Sequence, residues 1–296
     1  MKYFKLIALC SIFFFANNAS AQVVGGVVDS TKKFTKGIDS TLVAWMNSIV
    51  YLESVYQRSE RQMPVRDTLT GTGFLIEDDH KIYMVTAKHV IIAALNDENA
   101  QSANDSVFIK AKPREDKRGL NLTHLFNADP NKMPVVFSSD EDDIAIISFQ
   151  KKENEGILSY LLNNGYKPIP IEQIDTVIEN HKSDWIIMPS YSAIKGNGGR
   201  EIVKAISLGQ VKSVNKKLPV FTIDNIVHQG NNGAPIISKL DNKIIGVFHN
   251  ETNISTNADI LKQPFYSAKS ATIVKSSYIL PLLRKLQQNE NTLGFN

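Results

Sequence analysis

The sequence predicts an all-β protein, a sandwich or barrel, and three observations carry that expectation. Short apolar, β-branched runs recur along the chain, polar turns separate them, and no long helical periodicity is interleaved. The first strand is expected over 48–56. Further runs follow at 73–76, 82–86, 107–111, 135–137, 143–149, 185–188, 202–208, 220–223, 234–238 and 243–248. Turns are read at 78–79, 96–105, 112–119 and 195–200, where Asp, Asn, Lys and Gly cluster. Two stretches read as helical: 90–95, and 277–288, where Ile279, Leu282, Leu283 and Leu286 share one face. Pro281 is compatible with the second helix only within its first turn. Residues 22–46 read as an N-terminal arm or helix, and 47–296 as one continuous body without repeat or linker.

The chain opens with Lys2 and Lys5, an apolar stretch over 6–16, and Ala19-Ser20-Ala21, the form of a signal peptide over 1–21 cleaved near Ala21-Gln22. Its apolar core is shorter than the roughly 18 residues that a membrane span requires, and no later stretch reaches that length. Export to the periplasm or the outside is therefore expected, with no membrane span. A lipoprotein reading fails because Leu9 precedes Cys10 where a small residue is needed. Cys10 is the single cysteine and leaves with the leader, so disulfides, zinc fingers and a cysteine nucleophile are excluded from the mature chain. About 275 residues remain, enough to bury a core without cross-links. Cleavage also takes Lys2 and Lys5 from the 33 basic residues, leaving 31 against 30 acidic ones, a balance that points to no nucleic-acid partner. No cofactor and no metal is expected. Asn-x-Ser/Thr sites occur at Asn18, Asn104, Asn121, Asn250 and Asn253.

Three separated segments carry chemistry. Gly71-Thr72-Gly73-Phe74 is followed, after a turn, by Thr86-Ala87-Lys88-His89; Asp142-Asp143-Ile144-Ala145 comes next; and Gly230-Asn231-Asn232-Gly233-Ala234-Pro235 lies between two apolar runs. In this order they resemble the trypsin-like serine peptidase family, most closely its cysteine-free bacterial members of the HtrA and glutamyl types. The likeness spans roughly 68–285, with Ser207-Leu208-Gly209-Gln210-Val211 adding to it. It implies a double six-stranded β-barrel with a C-terminal helix. About 60 residues follow the 230–235 loop, too few for a further PDZ-type domain beyond the fold itself.

By that resemblance His89 is the general base, since imidazole titrates near neutrality and can take and return a hydroxyl proton. Asp143 is the acid that orients it, with Asp142 as the alternative in the same acidic loop. Backbone N–H groups of Gly230 and Asn232 form the oxyanion hole; because these donors are main-chain atoms, the hole can survive a side-chain change.

Asn232 stands where the family has its nucleophilic serine. A carboxamide offers no proton whose removal creates a nucleophile, so an acyl-enzyme cannot form. Ser207, Ser213 and Ser238 sit in strand or turn context and are poor substitutes. The Asn232 side chain is expected either to fill the space of a substrate carbonyl or to hydrogen-bond His89. Val23-Val24-Gly25-Gly26 resembles an activated peptidase N-terminus, but no basic residue precedes it and Asn231 supplies no charge to receive a buried amine. His228 and His249 are candidate pocket residues, and 247–250 a candidate edge for adding a peptide strand. Three functions stay open: a non-catalytic exported homologue that binds a peptide or protein ligand, an active serine endopeptidase, and a structural or immunity-type protein that uses none of these residues.

Overall fold

The computed structural model describes residues 12–16, 19–24, 40–60, 63–92, 106–110, 120–121, 135–139, 142–150, 155–196, 199–225, 230–251 and 270–292. Sixteen strands among them form two sheets. The first contains β3 (Ile49–Glu60), β4 (Met63–Asp78), β5 (Lys81–Ala87), β6 (Ser106–Lys110), β7 (Leu120–Asn121), β8 (Val135–Phe137) and β9 (Ile144–Ser148). Their spatial order is β7-β6-β3-β4-β5-β9-β8, and β10 (Ile169–Pro170) joins β4 in parallel.

The second sheet contains β11 (Trp185–Gly196), β12 (Gly199–Val214), β13 (Val220–Asn225), β14 (Pro235–Ser238), β15 (Ile244–Glu251) and β16 (Ala271–Lys275). Its order is β12-β11-β14-β15-β16-β13, and β13 pairs back onto β12, which closes a six-stranded barrel. Closure removes both sheet edges from this set of strands. The expected double barrel with a C-terminal helix is thus matched by one closed barrel, a second sheet and a helix over 279–292.

Strict alternation along the strands explains why so many of these runs are apolar at every position. Val50, Leu52, Leu75, Met84, Ala145 and Ile147 fill the interior of the first sheet. Their neighbours Ile49, Tyr51, Phe74, Ile76, Tyr83, Val85, Ile144 and Ile146 point the other way, into a shared core with Ile187, Tyr191, Ile237 and Val247 of the second. Ile186, Met188, Phe221, Ile236, Ile245 and Phe248 fill the closed barrel. Both faces of the central strands are therefore dry, as a period of two dictates when two bodies pack on one wall. Fully burying one such side chain contributes about 1.5–3 kcal/mol, so the shared core is a major term in holding the halves together.

Helix α4 (Ile279–Thr292) lays Ile279, Leu282, Leu283 and Leu286 into that shared core, and Pro281 falls in its first turn. The other helices are short: α1 (Ser40–Ser48), α2 (Lys88–Ile91) and α3 (Glu155–Asn163). The expected helix over 90–95 is a single turn at 88–91, and 93–95 lie outside the described residues. Helix α1 falls at the end of the segment read as an arm or helix; Trp45 and Met46 bury its inner face, and Met46 C=O accepts a hydrogen bond from Lys204 Nζ at 3.0 Å.

The apolar start of the chain adds β1 (Ile12–Ala16) and β2 (Ala19–Val24), an antiparallel pair whose second strand runs parallel to Lys204–Ser207 of β12. A cut after Ala21 would remove β1 and half of β2 and leave 22–24 opposite 205–207 of β12.

Candidate active site

The site lies where the first sheet meets the closed barrel. Strand β5 ends at Ala87 and the chain turns at once into α2, so His89 sits on a single helical turn, 1 % exposed. Strand β9, antiparallel to β5 with Ala87 opposite Ile144, brings Asp143 to the same end. Asp143 has φ +46°, an unusual conformation for a residue with a side chain, and one in which Asp is among the better tolerated. Local bonds hold it there: Ile144 N–H donates to Ser138 Oγ at 2.8 Å, and Lys88 N–H donates to Asp143 C=O at 3.2 Å.

Both oxygens of Asp143 are occupied. Oδ1 accepts from the backbone N–H of His89 at 2.8 Å, and Oδ2 accepts from His89 Nδ1 at 2.7 Å and from His249 Nδ1 at 2.5 Å. Burial alone would raise this carboxyl; the two imidazole hydrogen bonds, His249 ahead of His89, outweigh it and hold the group at about 2. A carboxylate only accepts, so each Nδ1 bears a proton and the Nε2 of a neutral ring is a free acceptor. His89 Nε2 is buried and has no hydrogen-bond partner. Asp142 is engaged elsewhere, accepting from Ser139 Oγ at 2.7 Å.

His249 reaches Asp143 through a bulge. The pairing of β15 with β16 shifts register between Phe248 and Asn250, which re-aims the residue between them. It is thereby placed on the acid itself, with its side chain 31 % exposed. His228, the other pocket candidate, lies outside the described residues. The candidate strand-addition edge is narrower than 247–250: Val247 pairs with Pro235 on one side and Val274 on the other.

The loop of residues 230–233 is fixed by Thr72, whose three polar groups make four hydrogen bonds. Its N–H donates to Asn232 C=O at 2.7 Å, and its Oγ1 donates to Gly230 C=O at 2.7 Å while accepting from Tyr191 N–H at 2.9 Å. Its C=O accepts from Thr86 Oγ1 at 2.9 Å. One residue on β4 thus ties the loop and β11 through its side chain, and β5 through its carbonyl, across the junction of the two halves. Gly233, at φ +83°, lies so close that a Cβ would come within 2.3 Å of Thr72 C=O and Thr86 Oγ1, and within 2.7 Å of Ala87 N. Gly230, at φ +99°, would meet Tyr191 C=O at 2.7 Å. Only glycine fits either position.

Asn231 is fully buried and its amide donates to Ser190 Oγ at 2.7 Å and Ser192 Oγ at 2.9 Å, a neutral anchor to β11. Asn232 is half-buried. Of the two expectations for its amide, the hydrogen bond to His89 is not made, since His89 Nε2 has no partner. The main-chain N–H groups of Gly230 and Asn232 make no hydrogen bond among the described residues.

The profile of the family described as the Trypsin-like peptidase domain matches residues 71–247, which takes in all three segments and more than half of the chain. A two-bodied β fold with an Asp–His pair at its junction defines a peptidase-fold protein, and this chain belongs to the trypsin-like peptidase family. No curated protein matches it.

The clasp on Thr72 escaped the sequence reading, although Gly71-Thr72-Gly73-Phe74 was prominent in it. The segment reads as a strand that precedes His89; nothing in the spacing says that its threonine reaches a loop 158 residues away. The pairing of His249 with Asp143 escaped it too, because a bulge is not legible as a break in an apolar run.

Proposed function

We propose that this protein is an exported, catalytically inactive relative of the HtrA-type and glutamyl-type peptidases that acts by binding a peptide or protein ligand. Asn232 is read as occupying the place of the nucleophilic serine, with His89 and Asp143 as the remaining base and acid and the N–H groups of Gly230 and Asn232 as oxyanion donors. The observation that carries this reading is the bare Nε2 of His89: the nitrogen that would take a nucleophile's proton touches no hydroxyl among the described residues. Loss of the nucleophile in a triad costs about a millionfold in turnover, and binding with the oxyanion hole leaves about 10³ to 10⁴ over water.

Ligand binding is supported by the fixed shape of the 230–233 loop and its backbone donors. The loop is pinned by Thr72, the N–H groups of Gly230 and Asn232 make no hydrogen bond among the described residues, and the β14–β15 ladder ends at Val247, followed only by the backbone bonds of Phe248 to Gly233 and Ala234. An extended peptide would add there by main-chain hydrogen bonds. Export rests on the leader-like sequence before Gln22, and N-terminal sequencing of protein recovered outside the cytoplasm tests it directly.

Incubating the purified chain with fluorescent casein and a serine-directed phosphonate tests the loss of catalysis. Neither turnover nor covalent labelling is expected. Turnover together with labelling at any serine would overturn the reading in favour of an active endopeptidase.

A further inference from the structure

We propose that His89 Nδ1, Asp143 Oδ2 and His249 Nδ1 form a binding site for one divalent cation of the zinc class. The three atoms lie within 4.8 Å of one another, and both nitrogens converge on the same carboxylate oxygen, at 2.7 and 2.5 Å. Orienting a base needs one imidazole on its acid; here a second, delivered by a strand bulge, competes for that oxygen while Oδ1 is already held by a backbone N–H. Two imidazoles and a carboxylate are the donor set that zinc accepts with three protein ligands, leaving a fourth position for water.

The fit requires little movement. Zinc binds imidazole nitrogen and carboxylate oxygen at about 2.0–2.2 Å in tetrahedral array, which sets its ligands about 3.3 Å apart. Relative to the present contacts, the cluster opens by about 0.6 Å at His89 and about 0.8 Å at His249. Each ring also passes to the tautomer whose Nδ1 is unprotonated, as metal ligation requires. His249 is partly exposed and gives the ion a way in, while His89 and Asp143 are buried, the first on a turn closed by the N–H of Ile92 on Lys88 C=O and the second with its C=O accepting from Lys88 N–H. A nitrogen-rich set of this kind selects cobalt, copper and zinc over magnesium and calcium.

The other cluster with such groups, Asp175, His181 and Asp241, is built differently. Both nitrogens of His181 are already held by carboxylates, Nε2 by Asp175 at 3.0 Å and Nδ1 by Asp184 at 2.9 Å, so it is a closed ion pair. The inference does not depend on peptide binding, and a metal readout leaves that question untouched.

Titration of the full chain with Co²⁺, followed by visible ligand-field absorption, tests the site. One equivalent is expected to bind with the strong bands of a tetrahedral ion, and Zn²⁺ to displace it. His249→Gln is expected to weaken binding at least about 100-fold, and Asp241→Asn to leave it unchanged. Absence of the bands in the unaltered chain, binding indifferent to His249→Gln, or loss of binding in Asp241→Asn would each overturn the proposal. Imidazole ¹⁵N spectra of the unaltered chain need no variant: of its six histidines, two are expected to shift at Nδ1 on adding Zn²⁺. Shifts confined to Nε2, or spread over more than two rings, also contradict it.

Discussion

At Asp143 a single carboxylate accepts from one backbone N–H and two imidazoles, and the balance of burial against those bonds decides its charge. Its carboxyl is held at about 2, below the roughly 3.9 of an unfolded aspartate. A depressed acid contributes stability that is present above the unfolded value and is lost as pH falls through the folded one. Replacing Asp143 by Asn is expected to lower stability by about 2 kcal/mol near neutrality. That difference should shrink between about pH 4 and pH 2, as read by thermal melts of both proteins. A difference that stays constant down to pH 2 would show that the acid's bonds do not set its charge. His89, Asp143 and the loop around Asn232 were each legible in the sequence as motif positions. What the motif could not supply was the contact of His249 with Asp143, because it arises from a bulge, and the state of the Asn232 amide, because side-chain rotamers are not written in spacing.

The 230–233 loop is shaped less by its own residues than by the strand it rests on. Thr72 saturates four contacts, and removing its hydroxyl strands Gly230 C=O and Tyr191 N–H in a dry interior. Thr72→Val should cost about 2–4 kcal/mol and lower the melting temperature by about 5–12 °C. A loss under about 0.5 kcal/mol would show that the clasp is ornamental. Gly233→Ala pushes a methyl group to 2.3 Å from two oxygens at φ +83°, and is expected to destabilise by more than about 3 kcal/mol; urea unfolding at equilibrium measures it. Most strands were legible from β-branched runs, including the hairpin turn between β11 and β12. The long extension of β4 before Gly71, helix α3, and strand β16 were not read. β4 is polar over 66–70 apart from Leu69, and the Ala-Thr-Ile-Val run of β16 follows a long, mostly polar stretch and precedes the helix, so neither stands out as a bounded apolar segment.

Across the whole molecule, two β bodies share a core sealed by α4, and a second buried histidine fastens the outer side of the closed barrel. Burial alone would lower the pKa of His181, but hydrogen bonds to Asp175 and Asp184 prevail and raise it. Its contribution is therefore complete below the unfolded value near 6.5 and disappears as pH rises through the elevated folded one. The melting temperature should decline over that interval, and the decline should be absent in His181→Gln; an identical pH profile in both proteins would refute the assignment. The double-barrel class was legible because period-two patterning and turn chemistry agree over most of the chain, whereas the shared core between the halves was not, since alternation cannot say which of two dry faces meets which partner.

On the function proposed above, base, acid and oxyanion donors persist around a position that has lost its nucleophile. Side-by-side labelling of the unaltered chain and Asn232→Ser with a serine-directed phosphonate, located by mass spectrometry, tests it most directly. No label is expected on the unaltered chain, label at position 232 in the variant, and casein turnover raised at least about a thousandfold. Equal labelling of both proteins, or a correctly folded variant that stays unlabelled, would contradict it.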